Sequence, residues 1–490
     1  MILQSDTLLA ILLGAVYGAL FGAIPGLTAT LAIALFVPIA FFLEPAVALS
    51  AIAAMASVAI FAGDVASVVA RMPGTPASAA YVEEIREVSR SRGAAFALGL
   101  SAWGSAIGGA IGVILLLWGA QALAALASRF SSFEFFWIAL LGLVAGLLAS
   151  AHFLKGLVAL LLGMLLATVG IDSTLGFPRF TFGNPNLLGG LNYIVVMIGV
   201  FGFAEILHHL FLSAQTRARG ETSEPRAIWK SFFIDSPLTL WKERNLALPS
   251  ALIGTFVGFL PGAGADLAAW VSTSLQKIRG AVSPTKVVLA ASCSNNSAVA
   301  GAWIPALALG IPGDTITAIL LGLFLVKGIT PGPLFFQDRE VVQNLFLAFF
   351  LSCLVFVPLV GFVLAALASG LAHLPTRYLL GSIAGLCVAG AYAINNSLFD
   401  VWIMLGSGVL GFLLRIAGFP LAQLVLGMVL GPIVEQNFMV SAIKSHWDLG
   451  AFLQRPLAIA FMCLTIGLVF VSLWFRHRQA FREVNNGHSD

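Results

Sequence analysis

Charged residues are scarce in this sequence. Its 490 residues include 25 Lys and Arg and 22 Asp and Glu, so 10% are charged and 59% are hydrophobic. Soluble proteins carry about 25% charged residues. A mean hydropathy of +1.00 leaves too little polar surface for a water-soluble globule of this size. The composition therefore excludes a soluble enzyme, a nucleic-acid-binding protein and a disordered scaffold.

Motifs for metal or nucleotide chemistry are also missing. The four cysteines lie in apolar stretches without a CxxC spacing, which is typical of small buried residues. The sequence has no HExxH motif, no Cys–His ligand spacing and no Walker A motif. We therefore expect no cofactor and no direct use of ATP. No Lys or Arg precedes the first apolar segment, so the basic region of a cleaved signal peptide is lacking.

Long apolar segments are what the sequence does contain. A spanning helix needs about 20 mostly apolar residues, and the apolar blocks predict about ten to thirteen crossings. A β-barrel would instead show alternating segments of about ten residues. The sequence also has 50 Gly and 21 Pro, which membrane helices tolerate. These features predict an all-α, polytopic integral membrane protein in a lipid bilayer.

The remaining charges lie between the apolar blocks and divide the chain. Short loops rich in Lys and Arg stay in the cytoplasm. This predicts that 82–92, 276–286 and the longest polar stretch are cytoplasmic, with the N-terminus outside. The predicted organisation is an N-terminal transmembrane repeat (1–213), a cytoplasmic connecting segment (214–245), a C-terminal transmembrane repeat (246–475) and a cytoplasmic tail (476–490).

An internal repeat is the most informative pattern in the chain. The motif Gly18-x-x-x-Gly22-x-x-Pro25-Gly26 recurs 236 positions later as Gly254-x-x-x-Gly258-x-x-Pro261-Gly262. A second Pro-Gly pair, Pro73-Gly74, recurs 239 positions later as Pro312-Gly313. Each half therefore contains two helix breaks about 50 residues apart in the same order.

The charge bias of the loops reverses between the halves. In the first half the basic loop follows the second Pro-Gly pair, and in the second half it follows the first pair. Equivalent loops on opposite sides of the membrane predict two inverted-topology repeats with Pro-Gly-broken helices and re-entrant hairpins.

Broken helices at matching positions indicate a secondary transporter. Proline ends a helix and glycine permits the unusual backbone of the break. The freed N–H groups attract an anion, and freed carbonyls can hold Na⁺. Ordinary kinks are the alternative. The expected solute-binding residues are Pro25, Gly26, Leu27, Thr28, Arg71, Pro73, Gly74, Thr75, Pro261, Gly262, Ala263, Gly264, Asn295, Asn296, Pro312, Gly313, Asp314 and Thr315.

At these motifs the sequence resembles the large membrane subunit of the tripartite tricarboxylate transporters. The resemblance runs from about residue 10 to 460 and includes GALFGAIPGLTATLAIALFVP, GTFVGFLPGAGADLAAW, SNNSAVAGAWIPALALGIPGDTITAILL and NNSLFDVW. It implies a permease of the bacterial inner membrane that imports a tri- or dicarboxylate-like organic anion with a cation gradient, usually Na⁺. It also implies an elevator-like movement and two partners: a small integral membrane subunit and a periplasmic solute-binding protein.

Three charged residues depart from the pattern of this family. Asp314 stands where Ser is common, Arg71-Met72 where many relatives have Asn-Thr, and Asp64 where a small residue is typical. Asp314 is a cation or proton ligand, an N-cap, or both. Arg71 contacts the anion or reaches the cytoplasmic interface. Asp64 belongs to a polar network or binds an ion.

Polar residues of the second half complete the candidate site. Asn295 and Asn296 bind carboxylate or Na⁺, or join helices. For Asp266, capping is at least as plausible as ligation. Asp64, Asn296 and Asp314 are the candidates for a Na⁺ or H⁺ site. A non-enzymatic secondary transporter is the preferred hypothesis. One alternative is a membrane-embedded enzyme, which needs a compact acid–base or metal cluster. The other is a channel, which needs no binding protein.

Overall fold

The fold is described from a computed structural model of the chain. It covers residues 5–24, 27–69, 74–148, 150, 152–172, 176–212, 225–260, 264–278, 283–371, 376–448, 450, 452 and 454–470. The chain forms two compact units. The large unit consists of Met1–Ala127 and Asn192–Ala417, and the small unit of Ser128–Leu191 and Gly418–Asp490.

Almost all of the regular structure is helical. The first helices are α1 (Ser5–Ala23), α2 (Ala29–Ala40), α3 (Pro45–Val69), α4 (Val82–Arg92), α5 (Ala94–Ala127), α6 (Ser132–Leu148), α7 (Phe153–Ala167), α8 (Tyr193–Met197), α9 (Ala204–Leu212) and α10 (Pro225–Lys230). They are followed by α11 (Ser236–Lys242), α12 (Arg244–Phe259), α13 (Gly264–Ile278), α14 (Pro284–Leu309), α15 (Thr315–Val326), α16 (Arg339–Leu351), α17 (Val357–Leu371), α18 (Thr376–Asn395), α19 (Leu398–Ile416), α20 (Leu421–Lys444) and α21 (Pro456–Phe470).

Short elements interrupt or join these helices. Three π-helical segments, Ile198–Phe203, Ser231–Asp235 and Ser352–Phe356, continue α8, α10 and α16. The 3-10 turns are Ser78–Ala80, Pro185–Leu187 and Phe335–Gln337. In the small unit, β1 (Gly170–Ile171) pairs with β2 (Pro178–Arg179) in an antiparallel ladder.

Within the described residues, eight helices are long and apolar enough to cross a membrane. Six shorter apolar helices accompany them, including α2 and α15. The prediction of an all-α polytopic membrane protein is therefore confirmed.

The small unit is built around α20, which packs against α6 and α7. Helices α7 and α20 approach closely because glycines face main chain. A Cβ on Gly163 would lie 2.8 Å from the carbonyl carbon of Leu424, and one on Gly427 would lie 3.0 Å from that of Leu160. Arg455 pairs at 2.7 Å with the fully buried Glu134.

The large unit has α3 and α14 at its centre, and nearly all of their residues are buried. Helix α1 packs along α3, and α12 packs along α14. A Cβ on Gly18 would lie 2.9 Å from the Cα atom of Met55, and one on Gly254 would lie 2.7 Å from that of Ser294. Gly254 follows Gly18 by 236 positions, and Ser294 follows Met55 by 239. The two helix pairs thus meet at equivalent residues.

The second breaks of the two halves also pack alike. A Cβ on Gly74 would lie 2.9 Å from the Cα atom of Gly63, and one on Gly313 would lie 2.7 Å from that of Ala302. Both members of the second contact lie 239 positions after those of the first. These matched contacts support the predicted internal repeat, whose inverted topology stays a prediction.

One contact joins equivalent residues of the two halves directly. The Nδ2 atom of Asn296 donates to the main-chain carbonyl of Ser57 at 3.1 Å, and the two residues are 239 positions apart. Equivalent residues that touch one another lie on the two-fold axis of a symmetric arrangement. The inverted repeat predicted from the sequence would therefore have its two-fold axis between α3 and α14.

Candidate functional site

Helices α2 and α15 run side by side in the same direction. At their starts the Oγ1 atoms of Thr30 and Thr315 are 3.0 Å apart. At their ends Lys327 Nζ donates to the carbonyl of Phe41 at 3.0 Å and also to that of Leu43. The N-terminus of a helix from the first half thus lies beside that of a helix from the second half.

Helix α13 pairs in the same way with the residues that follow Pro73-Gly74, the second break of the first half. The main-chain N–H of Ala77 donates to Oδ1 of Asp266 at 3.1 Å. One turn further on, Trp270 Nε1 donates to the carbonyl of Pro76 at 3.2 Å. At the far end Lys277 pairs with Glu84 at 2.7 Å. Thus α13 of the second half runs along residues 76–84 of the first.

The two pairs meet at Gly264 and Asp314. A Cβ on Gly264, whose φ is +72°, would lie 3.6 Å from the Cβ of Asp314. The N-termini of α2, α13 and α15 and the 3-10 turn Ser78–Ala80 therefore converge. All four directly follow the Pro-Gly breaks that the sequence analysis identified.

Side-chain caps order these helix starts. Thr28 Oγ1 accepts from the N–H of Leu31 at 3.1 Å. Asp314 Oδ1 accepts from the N–H of Thr317 at 2.8 Å, while Thr317 Oγ1 accepts from the N–H of Asp314 at 2.9 Å, which is a complete capping box. The site thus combines positive helix ends with two carboxylates, those of Asp266 and Asp314.

The second break of the first half has an equivalent cap. The N–H of Thr75 donates to Ser78 Oγ at 3.0 Å, and the N–H of Ser78 donates to Thr75 Oγ1 at 3.1 Å. Thr75 and Ser78 lie 239 positions before Asp314 and Thr317. The same reciprocal bonds therefore close both second breaks.

The structure brings together nine of the predicted solute-binding residues around these helix starts. They are Leu27, Thr28, Gly74, Thr75, Gly264, Pro312, Gly313, Asp314 and Thr315. Seven others lie outside the described residues. They are Pro25, Gly26, Arg71, Pro73, Pro261, Gly262 and Ala263.

Asn296 lies away from the helix starts. It is fully buried, and its amide joins α14 to α3 through Ser57. Along α14, Asn296 is six residues, or ~9 Å, from Ala302, which contacts Gly313. Asn295 is 2% exposed and its side chain contacts the hydroxyl of Tyr81. Of the two interpretations of this pair, the geometry favours the joining of helices.

Asp64 belongs to a third set of contacts. It is 1% exposed and accepts from Tyr81 Oη at 2.7 and 2.8 Å and from Ser101 Oγ. The three candidates for a cation site, Asp64, Asn296 and Asp314, therefore have different surroundings. In the part of the chain that the structure describes, no three His, Cys, Asp or Glu side chains are grouped to hold a metal. Sequence reasoning missed Tyr81 and Ser101, for which no motif gave a signal.

Together these features define a polytopic helical membrane protein whose broken helices meet inside one unit. The chain belongs to the tripartite tricarboxylate transporter TctA family, whose model matches residues 8–426. It is 31% identical over 475 residues to the "Uncharacterized 52.8 kDa protein in TAR-I ttuC' 3'region" of Agrobacterium vitis, covering 92% of this chain and 89% of that one. It is 33% identical over 238 residues to the "Uncharacterized protein in TAR-II ttuC' 3'region" of the same organism, covering 45% of this chain and 93% of that one.

No solved structure matches the chain. The resemblance noted in the sequence is confirmed by the family model. The protein is thus a multi-pass permease-type subunit from a family of transporters.

Proposed function

We propose that this chain is the permease subunit of a binding-protein-dependent tripartite system that imports a tri- or dicarboxylate-like organic anion. It acts as a secondary transporter, with Na⁺ as the first candidate for the coupling cation and H⁺ as the second. Its partners are a small integral membrane subunit and a periplasmic solute-binding protein. The location is the inner membrane of a bacterium, with the N-terminus outside and the C-terminus in the cytoplasm.

The convergence of helix starts carries this proposal. Helix N-termini present unpaired N–H groups and the positive ends of helix dipoles, which attract carboxylates. Here α2, α13 and α15 direct their starts at one place, as the contacts Thr30–Thr315 and Gly264–Asp314 describe. Thr30 and Thr315 add hydroxyl groups that donate or accept hydrogen bonds.

The carboxylates at the same place support coupling to a cation. Asp266 and Asp314 both lie within this cluster of helix starts. Bringing an anionic solute beside two carboxylates is unfavourable unless positive charge enters with it. Co-binding of Na⁺ or a proton supplies that charge. Main-chain carbonyls at the breaks suit Na⁺, and a buried carboxyl suits a proton.

The test is uptake into proteoliposomes that contain both membrane subunits, with the solute-binding protein added outside. Labelled citrate and labelled succinate serve as probes, and the Na⁺ gradient and the pH gradient are varied independently. We expect saturable uptake of one of them that needs the binding protein and a cation gradient. Flux that does not saturate and ignores both gradients would indicate a channel. Uptake that follows only the pH gradient would replace Na⁺ by H⁺.

A further inference from the structure

Asp64 is a buried carboxylate with neutral partners. It lies in α3, 1% exposed, and its oxygens accept from Tyr81 on one side and Ser101 of α5 on the other. Among the described residues, no Lys, Arg or His pairs with it. Tyr81 is the titratable group that contacts its carboxylate there. Arg71 lies outside the described residues, seven positions further along the chain.

Such a carboxylate is costly in its ionised form. Neutral hydrogen bonds replace only part of the lost hydration, and an unpaired charge in an apolar interior costs several kcal/mol. Binding of one proton removes the charge. Intramembrane carboxylates are rare for this reason and mark proton relays and ion pathways.

The neutral form requires a hydrogen-bond acceptor that the charged form does not. A protonated carboxyl becomes a donor. Tyr81 can accept that hydrogen only if its own hydroxyl hydrogen turns to another acceptor. The Asn295 amide N–H donates to the Tyr81 hydroxyl, and its Oδ1 atom is buried without a partner. A half-turn of this amide presents Oδ1 to Tyr81 and supplies the acceptor that protonated Asp64 requires.

We propose that Asp64 binds an exchangeable proton, and that Tyr81 and Asn295 reverse their hydrogen bonds when it does. In the charged form, Tyr81 and Ser101 both donate to the carboxylate. When one proton arrives from solvent, an O–H bond forms on Asp64 and its charge changes from −1 to zero. Asp64 then donates to Tyr81 and Tyr81 donates to Asn295, while Ser101 still donates to Asp64. No other covalent bond forms or breaks.

This proton site adjoins the helix breaks of the proposed function. Gly63, next to Asp64, is in close contact with Gly74 at the second break of the first half. Asn295 is next to Asn296, which binds Ser57 of α3. The Asp64 hydrogen bonds therefore adjoin both of these contacts. The residue 239 positions after Asp64 is Trp303, so only the first half carries the site. A coupling role for the proton rests on the proposed function, but its binding does not.

Difference infrared spectroscopy of the full-length protein in lipid nanodiscs tests the site. The pH is lowered from about 8 to about 5 without Na⁺, and the C=O band of a protonated carboxyl is recorded. We expect a pH-dependent band that disappears in Asp64→Asn. The matched control is Asp400→Asn, since Asp400 is also buried and accepts from Asn395 at 2.7 Å. The proposal is wrong if the band survives in Asp64→Asn. It is also wrong if the part of the band that this substitution removes does not change with pH.

Two further variants test the hydrogen-bond chain and do not depend on the folding of Asp64→Asn. Ser101→Ala removes a donor to the charged form, so the midpoint of the band's titration should move to higher pH. Asn295→Ala removes the acceptor of the protonated form, so the midpoint should move to lower pH. Each shift should be roughly 0.5 to 1 pH unit. Shifts in the same direction, or none, contradict the chain.

A sodium titration completes the test. We expect Na⁺ at constant pH to leave the Asp64 band intact. Loss of the band on adding Na⁺ would make Asp64 a sodium ligand and overturn the proton site. The spectra need no solute, so failure of uptake with an intact band counts against the proposed function and not against this site.

Discussion

At the scale of single residues, a charge near a predicted binding site can be structural. Asp314 was a candidate cation ligand, and the structure gives it a complete capping box with Thr317. The equivalent residue of the first half, Thr75, makes the same reciprocal bonds with Ser78 without a charge. A neutral side chain is therefore sufficient for the cap.

Substitution of Asp314 separates the cap from the charge. Asp314→Ala should lower the free energy of unfolding by about 1 kcal/mol, because the N–H of Thr317 loses its acceptor. Asp314→Ser should keep most of that stability, since Ser caps nearly as well as Asp. Thermal unfolding in detergent measures both. If Asp314→Ser keeps stability but loses the cation dependence of uptake, the charge has a role beyond capping.

The contacts of single residues were the least predictable part of the site. An acid inside an apolar span marked Asp64 as unusual, because carboxylates are costly there. Its partner Ser101 is 37 residues away, in a helix whose packing against α3 no local pattern encodes. Tyr81 stood at the edge of a charged loop, yet it is fully buried. Such partners depend on tertiary packing, which one sequence does not contain.

At the scale of helices, glycine contacts hold the two central pairs together. Gly18 lets α1 approach the main chain of Met55, and Gly254 lets α12 approach that of Ser294. Close approach of this kind drives association in membranes, where apolar burial alone does not.

Gly18→Val and Gly254→Val should therefore have similar effects. Each new side chain would meet main-chain atoms, which cannot move aside, so each should cost about 1–3 kcal/mol. Thermal unfolding of the two variants is the measurement. Gly385→Val is the control, because a Cβ there meets nothing within 4 Å. A large effect at one site alone would contradict the equivalence of the two pairs.

A disulfide can test the pairing of α2 with α15. Thr30→Cys and Thr315→Cys, made together in a Cys463→Ser background, should crosslink on oxidation because their Oγ1 atoms are 3.0 Å apart. Mass spectrometry of the digested protein detects the bond. Thr30→Cys with Ser283→Cys is the control, since Ser283 precedes α14, which is ~39 Å long, at the end away from Asp314. No crosslink in the first pair would contradict the convergence of the helix starts.

Helix types and break positions were more predictable than the connecting segment. Apolar length and Pro-Gly pairs depend on local chemistry, so they identified the spans and the starts of α2 and α15. Residues 225–242 of the predicted connecting segment are instead helical, and Phe232 is fully buried against Trp103, whose Nε1 donates to its carbonyl at 3.1 Å. Polar composition alone did not reveal this packing.

At the scale of the large unit, the charged segments fall into two groups. Lys277 pairs with Glu84, and Lys286 pairs with Glu243 at 3.4 Å. These pairs bring together the three internal segments predicted to be cytoplasmic. The weakly charged ends of α2 and α15 meet separately, through Lys327, whose pKa is lowered by burial. This grouping supports the predicted orientation.

Cysteine labelling in intact spheroplasts tests that orientation. In a Cys463→Ser background, Thr330→Cys should react with an impermeant maleimide from outside, because it is exposed beyond the end of α15. Ser91→Cys, exposed at the end of α4, should react only after permeabilisation. The reverse result would invert the assignment, and equal labelling from outside would place both segments on one side.

Helix starts of the first half pair with helix starts of the second half, so a start made early in synthesis waits for a partner that is made late. Thr30 and Thr315 are 285 positions apart. At about 5–20 residues per second, a ribosome needs roughly 15 to 60 s to make the chain between them. During that time α2 is already synthesised without the neighbour that covers its start. Biogenesis therefore includes a long-lived half-built state, in which the membrane insertion machinery or lipid must shield the N–H groups at the start of α2.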